Sequence, residues 1–195
     1  MKPHVSKTVA SCFASLRLIR SLRRSVSDAV LKTLVVALVL TRLDYGNAIL
    51  SGSPAYPLSR LQSVLNGAAR LIYRSARCEH TTPLLIDLHW LSVPERIKYK
   101  LSTLVFRCLH GIGPSYLATE LHSVSGLECR RRLRSATTAA LIVPRTRLVT
   151  VGDRAFPVAA ARAWNSLPAD IQRSSSLNIF KDRLKTWLFR TSYEL

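Results

Sequence analysis

At 195 residues, 48% of them apolar and 21% charged, the chain has the composition of a globular protein with one sizeable core, or one core and a small appendage, which excludes extended disorder. Its 29 Lys and Arg against 11 Asp and Glu give a formal charge of +18. Self-repulsion on that scale adds nothing to a fold and points to a polyanionic partner, nucleic acid first.

Arg supplies 22 of the 29 cations. Its planar fork grips phosphate and stacks on bases, although an Arg-rich codon bias would give the same count. The four cysteines, at 12, 78, 108 and 129, form no Cys-x-x-Cys pair and suit a reducing compartment. The longest apolar run, Leu34 to Leu40, is far short of the roughly 20 residues that span a bilayer, so no membrane partner is expected. The first 27 residues hold six Lys or Arg, six Ser and no acid, a composition shared with mitochondrial transit peptides. That reading is minor beside a cytoplasmic or nuclear location, because the rest of the chain is just as basic.

In chain order, Val9, Phe13, Leu16 and Ile19 predict an amphipathic helix with Arg17, Arg20, Arg23 and Arg24 along its flank. Ser27 reads as the N-cap of a second helix, with Asp28 where the helix dipole favours an acid. That helix, Ala29 to about Leu50, is apolar nearly all round in its first half and is expected at the centre of a bundle. Gly52, Pro54 and Pro57 mark a loop. Leu58, Leu61, Leu65, Ala68 and Ile72 then form the clearest stripe, with Arg60, Arg70, Arg74 and Arg77 off it. Pro83 opens a short helix carrying Leu84, Leu85 and Leu88. Ser92-Val93-Pro94-Glu95 reads as a capping box for a helix with Ile97, Leu101, Leu104 and Cys108 inward, stopped by Gly111 and Gly113. A further short helix runs from Pro114 through Leu121.

From Ser123 the character changes. Arg130, Arg131, Arg132 and Arg134 crowd an expected exposed loop. Ala140 to Val151, which includes Arg145 and Arg147, predicts one or two short edge strands. Phe156 to Trp164 reads as a helix, Ser166-Leu167-Pro168 as a turn, and Ser175 or Ser176 as the cap of a last helix carrying Leu177, Phe180, Leu184, Trp187 and Leu188. The expected architecture is mainly α: a helical bundle over 1–122, then a small α segment with one or two short strands over 123–195.

Several strings, in order, carry a resemblance. They include Thr41-Arg42-Leu43-Asp44-Tyr45-Gly46-Asn47, the Gln62 to Arg70 stretch, His80-Thr81-Thr82-Pro83, Leu88-His89-Trp90-Leu91 and Arg96-Ile97-Lys98. Leu109-His110-Gly111 with Pro114-Ser115-Tyr116-Leu117 follows, then Val143-Pro144-Arg145-Thr146-Arg147, Gly152-Asp153-Arg154-Ala155-Phe156, Ala163-Trp164-Asn165-Ser166-Leu167-Pro168 and Phe180-Lys181. From about His4 to Phe189 the chain resembles the end of non-LTR (LINE) retrotransposon reverse transcriptases, beyond the catalytic palm. Gly46 stands where the family has Cys and Gly67 where Ala is common; Gly67 costs about 1 kcal/mol inside a helix. The resemblance implies a thumb-like bundle that grips template and primer, with the palm as a protein partner.

The chemistry of polymerisation is missing. Two-metal catalysis needs clustered carboxylates, and the six Asp (28, 44, 87, 153, 170 and 182) include no adjacent pair. No hydrolase elbow, phosphate-binding Gly-rich loop or zinc-protease motif occurs, so no enzyme, cofactor or metal is expected. Cys78-x-His80 with Cys108-x-His110 is the nearest approach to a zinc set, but its one-residue spacings are short and Cys108 lies on an apolar stripe. Trp164 and Trp187 could stack on bases but sit at core spacing. The functional expectation is a non-catalytic fragment that binds RNA or single-stranded DNA nonspecifically. The candidate contacts are Arg17, Arg20, Arg23, Arg24, Arg70, Arg74, Arg77, Arg130, Arg131, Arg132, Arg134, Arg145 and Arg147. The alternatives are a translated retroelement relic, or a subunit completing a polymerase whose palm lies on another chain.

Overall fold

The computed structural model of the chain describes residues 2–124 and 139–193, which are mainly helical, as the periodicity predicts. They divide into two compact units, the described residues within 1–47, 53–96 and 189–195 and those within 48–52 and 97–188. One boundary falls within the helix that begins at Val93.

In the first unit, α1 (Lys2–Leu22) buries Val5, Val9, Cys12, Leu16 and Ile19 at spacings of four, three, four and three. Phe13, expected on that stripe, lies at its edge and is half-buried, while Cys12 is fully enclosed. The hydroxyl of Ser27 accepts the Val30 N–H at 3.4 Å and caps α2 (Asp28–Val35). The helix then loosens into a π turn (Val36–Leu40) and closes with α3 (Thr41–Asp44). The extra residue of the π turn lets both Val39 and Leu40 point inward.

The single long helix expected from Ala29 to about Leu50 therefore ends at Tyr45-Gly46, where Gly46 takes φ 65°. A 3-10 turn, Asn47–Leu50, follows. Nor does this helix sit at the centre of a bundle. Leu31 and Val35 are buried, but Val30, Val36 and Leu38 are 40–47% exposed. Apolar content reports how much a helix could bury; the number of neighbours decides how much it does.

Helix α4 (Ala55–Tyr73) begins before Pro57, which the sequence placed in a loop. Proline is tolerated there because first-turn N–H groups have no intrahelical partner. Its buried face is Leu61, Val64, Leu65, Ala68, Ala69, Leu71 and Ile72. A Cβ on Gly67 would stand 3.4 Å from the Phe13 ring and 3.7 Å from Leu16, ordinary van der Waals contacts, so the packing of α1 on α4 does not require glycine here. The short α5 (Thr82–Asp87) buries Leu85. It leads to α6 (Val93–Leu109), whose first N–H, on Val93, is taken by the Gln62 side-chain carbonyl at 2.9 Å.

Two of the resemblance strings meet in this unit. Arg96 grips Asp44 with both arms of its guanidinium, Nε to Oδ1 at 2.9 Å and Nη2 to Oδ2 at 2.6 Å, and the two side chains are only 16% and 25% exposed. Asn47 donates to the same carboxylate at 3.2 Å. Charge-assisted bidentate pairs are the strong ones, and removing one partner strands the other. Asp44→Ala is expected to lower stability by about 2–3 kcal/mol, read as a fall in the urea midpoint at unchanged slope.

In the second unit the rest of α6 buries Ile97, Leu101, Val105, Phe106 and Cys108. Gly113 ends the turn after it because a Cβ there would fall 2.8 Å from the Cys108 nitrogen and sulfur. Next come α7 (Ser115–Ala118), α8 (Val149–Gly152), α9 (Phe156–Asn165), α10 (Ala169–Gln172) and α11 (Leu177–Tyr193). Ser176 caps α11 by accepting the Ile179 N–H at 3.3 Å. The core is aromatic: Phe180 stacks on Phe106 at 4.4 Å and on Trp164 at 5.8 Å.

The expected edge strands reduce to an isolated antiparallel bridge between Ser123 and Leu141, and Val149–Gly152 is helical. What replaces a sheet is a strap held by side chains of α9. Asn165 accepts the Leu141 N–H and donates to its carbonyl, both at 2.8 Å, while Trp164 Nε1 donates to the Ala139 carbonyl at 2.8 Å. Beside these, the backbone pairs across the bridge, with the Val124 N–H on the Ala140 carbonyl at 3.0 Å and the Ile142 N–H on the His122 carbonyl at 2.8 Å. Nearby, Thr146 donates to Asp153, which also pairs with Arg162 at 3.0 Å; the Arg162 contact holds the Asp153 carboxyl below its ordinary range. A Cβ on Gly152 would lie 2.4 Å from Thr146 Cβ. Gly152→Ala is therefore expected to cost about 1–3 kcal/mol in a thermal melt.

Candidate nucleic-acid interface

Helices α1 and α4 pack side by side in the first unit. The flank of α1 carrying Arg17 and Arg20, with Arg23 in the turn just beyond Leu22, thereby comes to face the end of α4 carrying Arg70. Helix α4 ends on Arg74, which takes the left-handed conformation (φ 59°) with its N–H bonded to the Arg70 carbonyl. This turn swings Arg74, Ser75, Ala76 and Arg77 back toward α1. The result is one cavity of about 610 Å³ walled by Arg17, Arg20, Arg23, Arg70, Arg74 and Arg77, with Phe13, Leu16, Gly67 and Leu71 as its apolar lining.

The charges in this cavity are poorly balanced. Among the described residues, Asp28 makes the only ion pair to these six, 3.9 Å from Arg74, and both side chains are about 70% exposed. A pair that long and that wet contributes little. Glu79 spends its carboxylate on the Ser75 hydroxyl and offers Arg70 only its backbone carbonyl, at 3.1 Å. Nε and Nη2 of Arg23 and Nε of Arg70 are shut off from solvent with no hydrogen-bond partner. Loss of hydration, then the positive charge of Arg74, lowers the Arg23 pKa from its ordinary value; Asp28 opposes the shift and Arg20 adds to it. Stranded donors and mutually repelling cations are what a bound anion relieves.

Arginine in the left-handed region costs about 1 kcal/mol relative to glycine. Arg74→Gly is expected to raise the melting temperature by a few degrees while weakening RNA binding, a split in sign that a purely structural role for Arg74 would not produce.

The sequence treated Arg17 to Arg24 and Arg70 to Arg77 as separate groups. The structure joins all of them except Arg24, which is exposed and does not line the cavity. Arg145 and Arg147 are exposed in the second unit and do not line the arginine cavity. Arg130, Arg131, Arg132 and Arg134 lie outside the described residues. Phe13 and Gly67 were read as core and as a weak point; both belong to the cavity lining, and only the pairing of α1 with α4 could have shown it.

The other candidate chemistries are accounted for by packing. Burial raises the Cys12 and Cys108 thiols above their ordinary value, against the pull of Arg42 and Arg107 respectively. His110 stacks on Phe106 at 3.9 Å, and Cys78 and His80 are exposed. Among the described residues no three His, Cys, Asp or Glu gather closely enough to hold a metal ion. Trp164 is core, and Trp187 lies under the Lys98 ammonium at 4.5 Å. No helix among the described residues is long and apolar enough to cross a membrane. Comparison with protein-family models, curated proteins and solved structures finds no match.

Proposed function

We propose that this chain is a non-catalytic portion of a non-LTR retrotransposon reverse transcriptase, from the helical region beyond the palm, and that it holds RNA or single-stranded DNA without regard to sequence. The observation that carries this is the gathering of six arginines, from α1, α4 and the turns that follow them, around one cavity that contains unpaired guanidinium nitrogens. Phosphate contacts by Arg release counterions and need no base recognition, which suits a surface that must accept any sequence. The ordered strings from Thr41 to Lys181 support the family reading. Several of them are also explained by packing: Asp44 with Arg96, Thr146 with Asp153, and Trp164 and Asn165 with the strap.

On this reading the bond-forming carboxylates belong to a palm that would be the protein partner, and the chain alone incorporates no nucleotides. The test is fluorescence anisotropy with mixed-sequence RNA across a salt series. Affinity that falls steeply with salt and varies little between sequences is expected. Binding that is micromolar or weaker, with a flat response to salt, removes the proposal.

A further inference from the structure

The arginine cavity has a shape and a charge that a plain backbone track does not require. Proteins that follow an internal phosphodiester chain use open grooves, one charge per contact. Here about 610 Å³ lies in a half-open pocket between two helices and a reversed turn, a volume in the range of small-molecule sites. The arginines come from both walls, Arg17 and Arg20 from α1 and Arg70 from the end of α4, with Arg23, Arg74 and Arg77 in the turns beyond them, so they surround one pocket. An internal phosphate brings a single negative charge to that pocket. A terminal phosphomonoester carries about 1.5 to 2 near neutral pH, and a polyphosphate carries more.

Between the arginines lies apolar surface. Phe13 is half-buried, Leu71 is 8% exposed, and Gly67 adds no side chain to fill the space between them. A flat ring can lie against such a lining while its phosphates reach the forks, because aromatic stacking is indifferent to which base is present.

We propose that this cavity is a strand-end subsite, which takes the terminal phosphate or polyphosphate of a nucleotide with the base against Phe13. The inference rests on the nucleic-acid reading for its ligand, the 5′ end of an RNA or DNA strand. The same chemistry would also admit a free nucleoside triphosphate. Arg23 and Arg70 supply the buried, unpartnered N–H groups, and the exposed Arg17, Arg20, Arg74 and Arg77 supply further positive charge around them.

The experiment uses the full chain and one short RNA sequence labelled at its 3′ end, with a 5′-hydroxyl, 5′-monophosphate or 5′-triphosphate terminus. ATP serves as competitor, and binding is read by anisotropy at physiological salt. The triphosphate RNA is expected to bind about tenfold or more tightly than the hydroxyl RNA, with the monophosphate between them. The variant Arg20→Gln/Arg77→Gln changes two exposed side chains and should erase this ranking without altering the thermal melt. ATP that displaces only the end-dependent part of the signal supports the same assignment. If the three RNAs bind within about twofold of one another, the end-site inference falls while the nucleic-acid reading stands. ATP binding without binding of any RNA keeps the cavity as a nucleotide site and overturns the nucleic-acid reading. No binding by either overturns both.

Discussion

Replacing Trp164 by Ala is expected to remove about 3–5 kcal/mol of stability, enough to unfold much of the second unit at physiological temperature. The side chain is 1% exposed, its ring stacks at 5.8 Å on Phe180, and its indole N–H holds the Ala139 carbonyl. The substitution therefore opens a cavity in an aromatic core and strands a carbonyl of the strap. Trp164→Phe separates the two losses. It keeps most of the ring contact and loses the hydrogen bond, so it should cost about 1–2 kcal/mol. Chemical denaturation of both variants checks the ranking, and equal losses would mean that the hydrogen bond rather than the ring carries the site. Binding by the first unit's arginines should persist in conditions where Trp164→Phe remains folded, because none of the cavity residues lies in the second unit.

The larger functional effect is expected at the cavity. Arg17→Gln, Arg20→Gln, Arg74→Gln and Arg77→Gln combined should weaken RNA binding about a hundredfold or more at low salt. Each substitution removes a charge-assisted donor set from an exposed side chain and leaves the buried faces of α1 and α4 untouched. Stability should hold or rise, since mutual repulsion among these cations is partly relieved. A loss of affinity that came with a lowered melting temperature would instead assign these arginines to the fold.

Much of the fold is written locally. The caps at Ser27 and Ser176 and the stripes of α1, α4 and α11 are short-range patterns in which helical spacing and an N-cap hydroxyl say the same thing. What the pattern does not carry is which elements meet. The run from Val30 to Leu40 is apolar enough to be central, yet Val30, Val36 and Leu38 face outward because its neighbours lie on one side only. Ala140 to Val151 has the composition of a strand, but beyond two backbone bonds with His122 and Val124 the segment from Ala139 to Leu141 is held by the side chains of Asn165 and Trp164, more than twenty residues away.

The candidate site divides in the same way. Arg17 and Arg20, three apart on one helix, are visible as a face of that helix, whereas the helical spacing of Arg70, Arg74 and Arg77 misleads, because α4 ends at Tyr73. That these arginines close on one cavity depends on a packing between residues some fifty positions apart and on a non-glycine residue in the left-handed turn at position 74. Neither has a signature in the local sequence. The resemblance strings pointed elsewhere, since several of them mark internal pairs rather than the surface that would meet a ligand.

The most direct measurement is the slope of log affinity against log salt for mixed-sequence single-stranded RNA, compared between the unaltered chain and two variants of equal charge. One variant carries Gln at Arg17, Arg20 and Arg77; the other carries Gln at Arg24, Arg145 and Arg147. If the cavity holds phosphate, the first variant should lose about two units of slope, near 0.7 for each cation removed, and the second much less. Equal losses in the two variants would show that only total charge matters and would contradict a built site between α1 and α4.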